Sequence, residues 1–306
     1  MINTKRKKRT VLLYGRTNAG KSAQLGELAL HVRKTTGKIT RLYNSDRGGL
    51  DTIQSFIDEG IIDVVEIGDS DPWIFLNKSV RGMVRDVNGK WVAGKNDNIG
   101  MFAFESMTSI ADALMADMVI KAAQNVNIGG GANISFNVSG DGESLKVSGS
   151  NMAHYMTAQA RIKEEVWASQ KLMADYILWT AGASKDEDPE ASGKVVGPAV
   201  VGKAMTAEIP RWFNLTFRLD CLPAMAGKPE RHLLYLGNHQ DSNAGNATGL
   251  GNIRMPLDAP PITSNVIEPA SIVKAIELID KSSDLAREAL KKRLGEGVVI
   301  TNKAGG

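Results

Sequence analysis

Residues 15–22 read Gly15-Arg16-Thr17-Asn18-Ala19-Gly20-Lys21-Ser22, and no other segment narrows the accessible folds as much. The run fits G-x-x-x-x-G-K-[ST], a loop that has to leave a strand and open a helix. Both flanks are present. Val11-Leu12-Leu13-Tyr14 is a short apolar run that reads as a buried strand, and Leu25, Leu28, Ala29 and Val32 fall at helical spacing within 22–33. Glycine at 15 and 20 lets the backbone wrap a phosphate chain without a Cβ clash, so loop N–H groups and the helix N-terminus face the anion. In that setting Lys21 reaches the β- and γ-phosphates and Ser22 ligates Mg²⁺.

The remaining composition excludes other classes. The 306 residues suffice for one large α/β domain or about two domains. There are 37 Lys and Arg against 34 Asp and Glu, so any contact with nucleic acid has to come from local patches. The single cysteine, Cys221, rules out a disulfide-stapled secreted fold and points to a reducing, cytoplasmic setting. It reads as a structural thiol, and His31, His154, His232 and His239 show no metal-ligand spacing, so no zinc site is expected. No apolar run approaches the roughly 18 residues that span a bilayer. The basic stretch from Thr4 to Thr10 lacks the apolar core of a signal peptide. It reads as a solvated arm or as a phosphate-backbone contact.

Along the chain, strands are predicted at 39–45, 62–67, 99–104, 176–180, 212–219 and 233–236, with Asn88-Gly89 as a hairpin turn. Helices are predicted at 51–59, 109–124, 153–173 and 271–294, the last broken near Lys281-Ser282-Ser283. Segments 184–194 and 240–251 read as loops. The glycine-rich stretch 125–150 reads as a flexible insert with a hairpin, Lys146 being its only basic residue. Strands separated by helices predict an α/β fold with a mostly parallel central sheet and helices on both faces. The expected organisation is a basic arm (1–9), a core (10–265) with the insert at about 125–150, and a C-terminal helical segment and tail (266–306).

Nucleotide hydrolysis also needs an acid near the metal and a group that orients water. The apolar strand Gly100-Met101-Phe102-Ala103-Phe104 ends in Glu105, where a metal-side carboxylate belongs. Arg41-Leu42-Tyr43-Asn44-Ser45-Asp46 ends in Asp46, which reaches the loop if the two strands are near neighbours. The loop itself resembles that of Era-type GTPases, which also need a guanine-reading Asn-Lys-x-Asp. The two Asn-Lys pairs here, Asn77-Lys78-Ser79-Val80 and Asn302-Lys303-Ala304-Gly305, both lack the Asp.

The order of the pieces resembles the RecA-like recombinase core, and within it the small phage RecA-like ATPases of the Sak type. Glu105-Ser106 matches that family's Asp-Ser strand end with the Asp replaced, and Asp46 falls at its catalytic acid. Residues 175–181 resemble its sensing strand, without the expected Gln. The resemblance implies a RecA-like P-loop ATPase that uses ATP and Mg²⁺ and works as a homo-oligomer on single-stranded DNA, with a single-strand-binding protein as a further partner. The setting would be the host cytoplasm if the chain is phage-encoded. Lys203 or Arg254 would then be candidates to reach a neighbouring subunit's γ-phosphate. An Era-like GTPase and a non-catalytic nucleotide-binding assembly or packaging factor stay open beside it.

Overall fold

The computed structural model describes residues 8–46, 50–67, 71–123, 135–140, 143–148, 152–187, 194–224, 229–241, 247–256 and 258–296. Most of the N-terminal arm, much of the 125–150 insert, the centres of both predicted loops and the C-terminal tail lie outside them. In chain order the elements begin with β1 (Arg9–Gly15), α1 (Lys21–Thr36), β2 (Ile39–Asn44), α2 (Gln54–Asp58), β3 (Ile62–Glu66) and α3 (Pro72–Ser79). There follow β4 (Met83–Arg85), β5 (Trp91–Ala93), β6 (Ile99–Glu105), α4 (Met107–Ala123), β7 (Ser135–Gly140), β8 (Glu143–Ser148), α5 (Met152–Ser169) and β9 (Tyr176–Glu187). The chain continues through β10 (Lys194–Ala199), α6 (Lys203–Glu208), β11 (Leu215–Leu222), β12 (Arg231–Tyr235) and β13 (His239–Asp241). It closes with β14 (Ala247–Gly249), β15 (Asn252–Ile253), β16 (Val266–Ile267) and α7 (Ile272–Glu296).

One sheet organises the molecule. Its parallel centre runs β3-β2-β6-β9-β1-β11, and β12 and β16 extend it antiparallel. Every residue of β1 and β6 is buried, as expected for strands covered on both faces. Their side chains alternate between two cores. Leu12, Tyr14, Phe102, Phe104, Ile177 and Trp179 pack beneath α3, α4 and α5, while Val11, Leu13, Met101, Ala103 and Leu178 pack beneath α1 and α7.

Local chemistry sets the element ends. Helix α1 stops at Gly37, which has φ 72° and donates its N–H to the Arg33 carbonyl at 2.9 Å. Asp71 caps α3 by accepting from the Ile74 N–H at 3.3 Å, and Pro72 occupies the first turn. This helix is absent from the sequence reading because its eight residues are too few to show a period. The Asn88-Gly89 turn does join β4 to β5, with Gly89 at φ 74°.

Other expectations are revised. Helix α7 is unbroken, because the Ser282 hydroxyl donates to the Pro260 carbonyl at 2.6 Å while Ile279 and Ala286 on either side stay in the core. Segment 184–194 is not simply a loop. β9 continues through Glu187 and pairs antiparallel with β10, so a ladder serves backbone groups whatever the polarity of their side chains. Likewise β13 and β14 pair within 240–251. Strand β11 begins at Leu215 rather than 212, since Pro210 opens a 3₁₀ turn over Ile209–Trp212.

Strand β9 changes partner at Gly182. Up to Ala181 it pairs parallel with β1, and from Gly182 it pairs antiparallel with β10. The Thr108 hydroxyl accepts from the Gly182 N–H at 2.8 Å and donates to the Ala199 carbonyl at 2.6 Å. Beneath this junction Trp179 is fully buried, stacked on Phe104 at 4.4 Å, and donates its indole N–H to Ser169 at 3.1 Å. We expect Trp179→Ala to cost about 3–5 kcal/mol and Trp179→Phe clearly less, as read by urea denaturation.

Candidate functional site

The phosphate-loop sequence sits where β1 meets α1. Strand β1 lies against β11 with Gly15 opposite Leu219, and a Cβ on Gly15 would stand 2.5 Å from the Leu219 carbonyl oxygen. Only glycine permits this approach. The loop then turns through Asn18 at φ 62° and Gly20 at φ 96°, which aims the first N–H groups of α1 outward. Lys21 folds over the loop, and its ammonium donates to the carbonyls of Gly15 at 3.1 Å and Arg16 at 3.0 Å.

Thr17, Asn18, Gly20, Lys21, Ser22, Ala23, Asp46, Thr52 and Glu105 line a cleft of about 480 Å³. Glu105 closes its floor at the end of β6. The Ser22 hydroxyl donates to Glu105 Oε1 at 2.8 Å. Glu105 is 3% exposed, and its Oε2 is buried without a hydrogen-bond partner. A second hydroxyl fixes the strand end: Ser45 Oγ donates to the Glu105 carbonyl at 3.0 Å and accepts from the Ser106 N–H at 3.1 Å. Burial pushes the Glu105 carboxyl above the ordinary carboxylate range. The Ser22 hydroxyl and then Lys21 pull it back, and Asp46 acts in the same direction as burial. Burial also pushes the Lys21 ammonium down, opposed by Glu105 and Asp46.

The structure therefore gathers Lys21, Ser22, Asp46 and Glu105 around one cleft with the loop residues Thr17, Asn18 and Gly20. Arg16 is exposed beside it, and Ala19 is buried beneath it. The strands that lead into Asp46 and Glu105, β2 and β6, are direct neighbours. β2 is not next to β1, because β6 and β9 stand between them. Asp46 still reaches the cleft, since the chain continues past β2 beside Glu105, with the Ser45 N–H bonded to the Glu105 carbonyl at 2.5 Å. Sequence reasoning missed Ser45 and Thr52, whose types carry no signal. It also missed His232, whose Nδ1 lies 3.1 Å from the Ala19 carbonyl. Arg254 is exposed, and its guanidinium donates to the Arg211 carbonyl.

Ser22 Oγ and the two Glu105 oxygens are hard donors, and the unpaired buried Oε2 is an acceptor that a divalent cation such as Mg²⁺ would satisfy. The residues present thus fit that ion. The central strand–loop–helix unit and the mostly parallel sheet covered on both faces define an α/β fold of the P-loop type. Two solved structures are similar to the chain. The KaiC-like protein PH0186 from Pyrococcus horikoshii OT3 has 13% identity and a TM-score of 0.36, over 74% of this chain and 77% of that one. The flagellar accessory protein FlaH from Methanocaldococcus jannaschii has 11% identity and a TM-score of 0.39, over 74% and 77% respectively. No protein-family profile and no curated protein sequence matches the chain.

The raised Glu105 carboxyl has a thermodynamic consequence. The folded state holds this proton more tightly than the unfolded chain, so Glu105 favours folding at low pH. That contribution is lost as pH rises from the unfolded value through the folded one. In chelator-containing buffer, Glu105→Gln is expected to unfold at a higher temperature than the natural chain at neutral pH. The advantage should vanish below about pH 4, as read by melting curves across a pH series.

Proposed function

We propose that this chain is a nucleoside triphosphatase that binds ATP with Mg²⁺ and hydrolyses its γ-phosphate. The observation that carries the reading is the 2.8 Å contact between the Ser22 hydroxyl and Glu105 at the mouth of a glycine-built anion cradle. The loop N–H groups and the N-terminus of α1 hold the phosphate chain. Lys21 leaves the carbonyls of Gly15 and Arg16 to take phosphate oxygens as its better partners, and its charge offsets the charge developing there. Ser22 and Glu105 hold the metal, which when bound neutralises β- and γ-phosphate charge. Asp46, which lines the same cleft beside Glu105, orients the attacking water.

ATP is favoured over GTP by what the Asn-Lys pair at 77–78 does. It lies on α3, and Asn77 Nδ2 donates to the buried Glu165 carboxylate at 2.7 Å, so this Asn serves packing rather than base reading. Action on single-stranded DNA as a homo-oligomer, with a single-strand-binding protein as a further partner, rests on the resemblance to the RecA-like recombinases. The near balance of 37 basic and 34 acidic residues favours DNA contact by an assembly over strong grip by a single copy. Among the described residues no helix is long and apolar enough to cross a membrane.

Lys21→Ala is expected to lower turnover by at least about 100-fold with the fold intact by circular dichroism. Glu105→Gln should still bind ATP while losing turnover. Unchanged hydrolysis in Lys21→Ala would remove the enzymatic reading. Nucleotide binding with no turnover, with or without DNA, would favour the assembly factor. Stimulation by single strands that weakens across a salt series supports the DNA role, and stronger competition by GTP than by ATP overturns the choice of base.

A further inference from the structure

Strands β11 and β12 pair antiparallel beside the phosphate loop, with Cys221 directly opposite His232. Opposed residues share a face of the sheet, so thiol and imidazole lie on the same side. Glu230, just before β12, completes the group. The Cys221 sulfur, a Glu230 carboxylate oxygen and a His232 ring nitrogen all lie within 4.8 Å of one another. Glu230 is exposed, and the other two are partly buried, so the group opens to solvent on one side. Among the described residues it is the only such cluster of three ligand types.

The hydrogen bonding around the imidazole is the telling feature. A carbonyl oxygen can only accept, so the 3.1 Å contact with Ala19 requires His232 Nδ1 to carry hydrogen. Nε2 is then left facing Glu230 Oε1 at 2.9 Å. The imidazole is thus held between the loop carbonyl on one ring nitrogen and a carboxylate on the other. The Cys221 thiol hydrogen-bonds the same carboxylate. All three side chains thus converge on one point, their donor atoms within 4.8 Å of one another.

We propose that Cys221, Glu230 and His232 form a binding site for a thiophilic divalent cation of the zinc class. One sulfur, one nitrogen and one oxygen donor form a borderline-soft set that suits Zn²⁺ or Co²⁺ rather than Mg²⁺. Bonds of about 2.0–2.3 Å in a tetrahedral set hold ligand atoms roughly 3.3–3.7 Å apart, so Nε2 and the Glu230 carboxylate, at 2.9 Å, open slightly while the sulfur lies within 4.8 Å of both. Three protein ligands leave a fourth position open to water. Binding displaces to solvent the thiol proton and any proton carried by Nε2, and Nε2, Sγ and the carboxylate become the ligands. Nδ1–H stays on the Ala19 carbonyl, the kind of backbone hydrogen bond that orients a metal-bound imidazole. The loop carbonyl thereby becomes the outer support of the metal site, which stands at the side of the cradle and shares no ligand with Ser22 or Glu105.

The test uses the full chain, stripped with chelator and free of nucleotide, titrated with Co²⁺. The expected result is one equivalent bound, with a near-ultraviolet thiolate-to-cobalt absorption band that Zn²⁺ abolishes and excess Mg²⁺ does not. Cys221→Ser should lose the band. Glu230→Gln, at an exposed position that leaves the fold undisturbed, should weaken Co²⁺ binding by at least about tenfold. Glu105→Gln should leave the band unchanged. Absence of the thiolate band, or a band of equal affinity in Glu230→Gln, overturns the proposal. Cobalt held by Ser22 and Glu105 alone gives no thiolate band and counts against it. Because no nucleotide is present, failure here and failure of the ATPase reading are separate results.

Discussion

The cleft depends on burying a carboxyl next to an ammonium. Glu105 lies at the end of a strand with no exposed residue, and Lys21 lies over the loop that faces it. Burial disfavours the charged form of each, and each partly offsets the cost for the other. A buried carboxylate oxygen with no partner is a destabilising feature of the protein alone. It becomes reasonable where a positively charged ligand completes it. The surrounding hydroxyls of Ser22 and Ser45 hold Glu105 in one orientation, so little reorganisation is needed when charge arrives.

The centre of this fold was legible because its signals are local. The alternation of Leu12 and Tyr14 against Val11 and Leu13, the two loop glycines and the spacing of Leu25, Leu28, Ala29 and Val32 all report interactions within a few residues. Glu105 was legible for the same reason, as an acid closing an apolar run. What stayed hidden depends on partners far along the chain. The strand character of Ala183 to Glu187 comes from pairing with β10, which side-chain polarity does not encode. The continuity of α7 through Ser282 depends on the Pro260 carbonyl, 22 positions earlier.

His232 is the clearest case. Its distance from the loop in sequence is more than two hundred residues, and nothing around it marks a ligand. Antiparallel register alone sets it against Cys221 and behind Ala19. Spacing along the chain marks no ligand set among the histidines, whereas the register between neighbouring strands, about 5 Å apart, sets His232 opposite Cys221.

Strand β9 and Thr108 together have a mechanical consequence. Twelve residues of one strand run between β6 and β1 and on into the ribbon formed with β10. At the changeover, Thr108 binds the Gly182 N–H and the Ala199 carbonyl through a single hydroxyl. Thr108 stands three positions after Glu105 in the chain. The hydroxyl therefore works as a rivet that fastens the first turn of α4 to the base of the ribbon. Whatever holds the ribbon in place thus also holds the helix that starts two residues after Glu105.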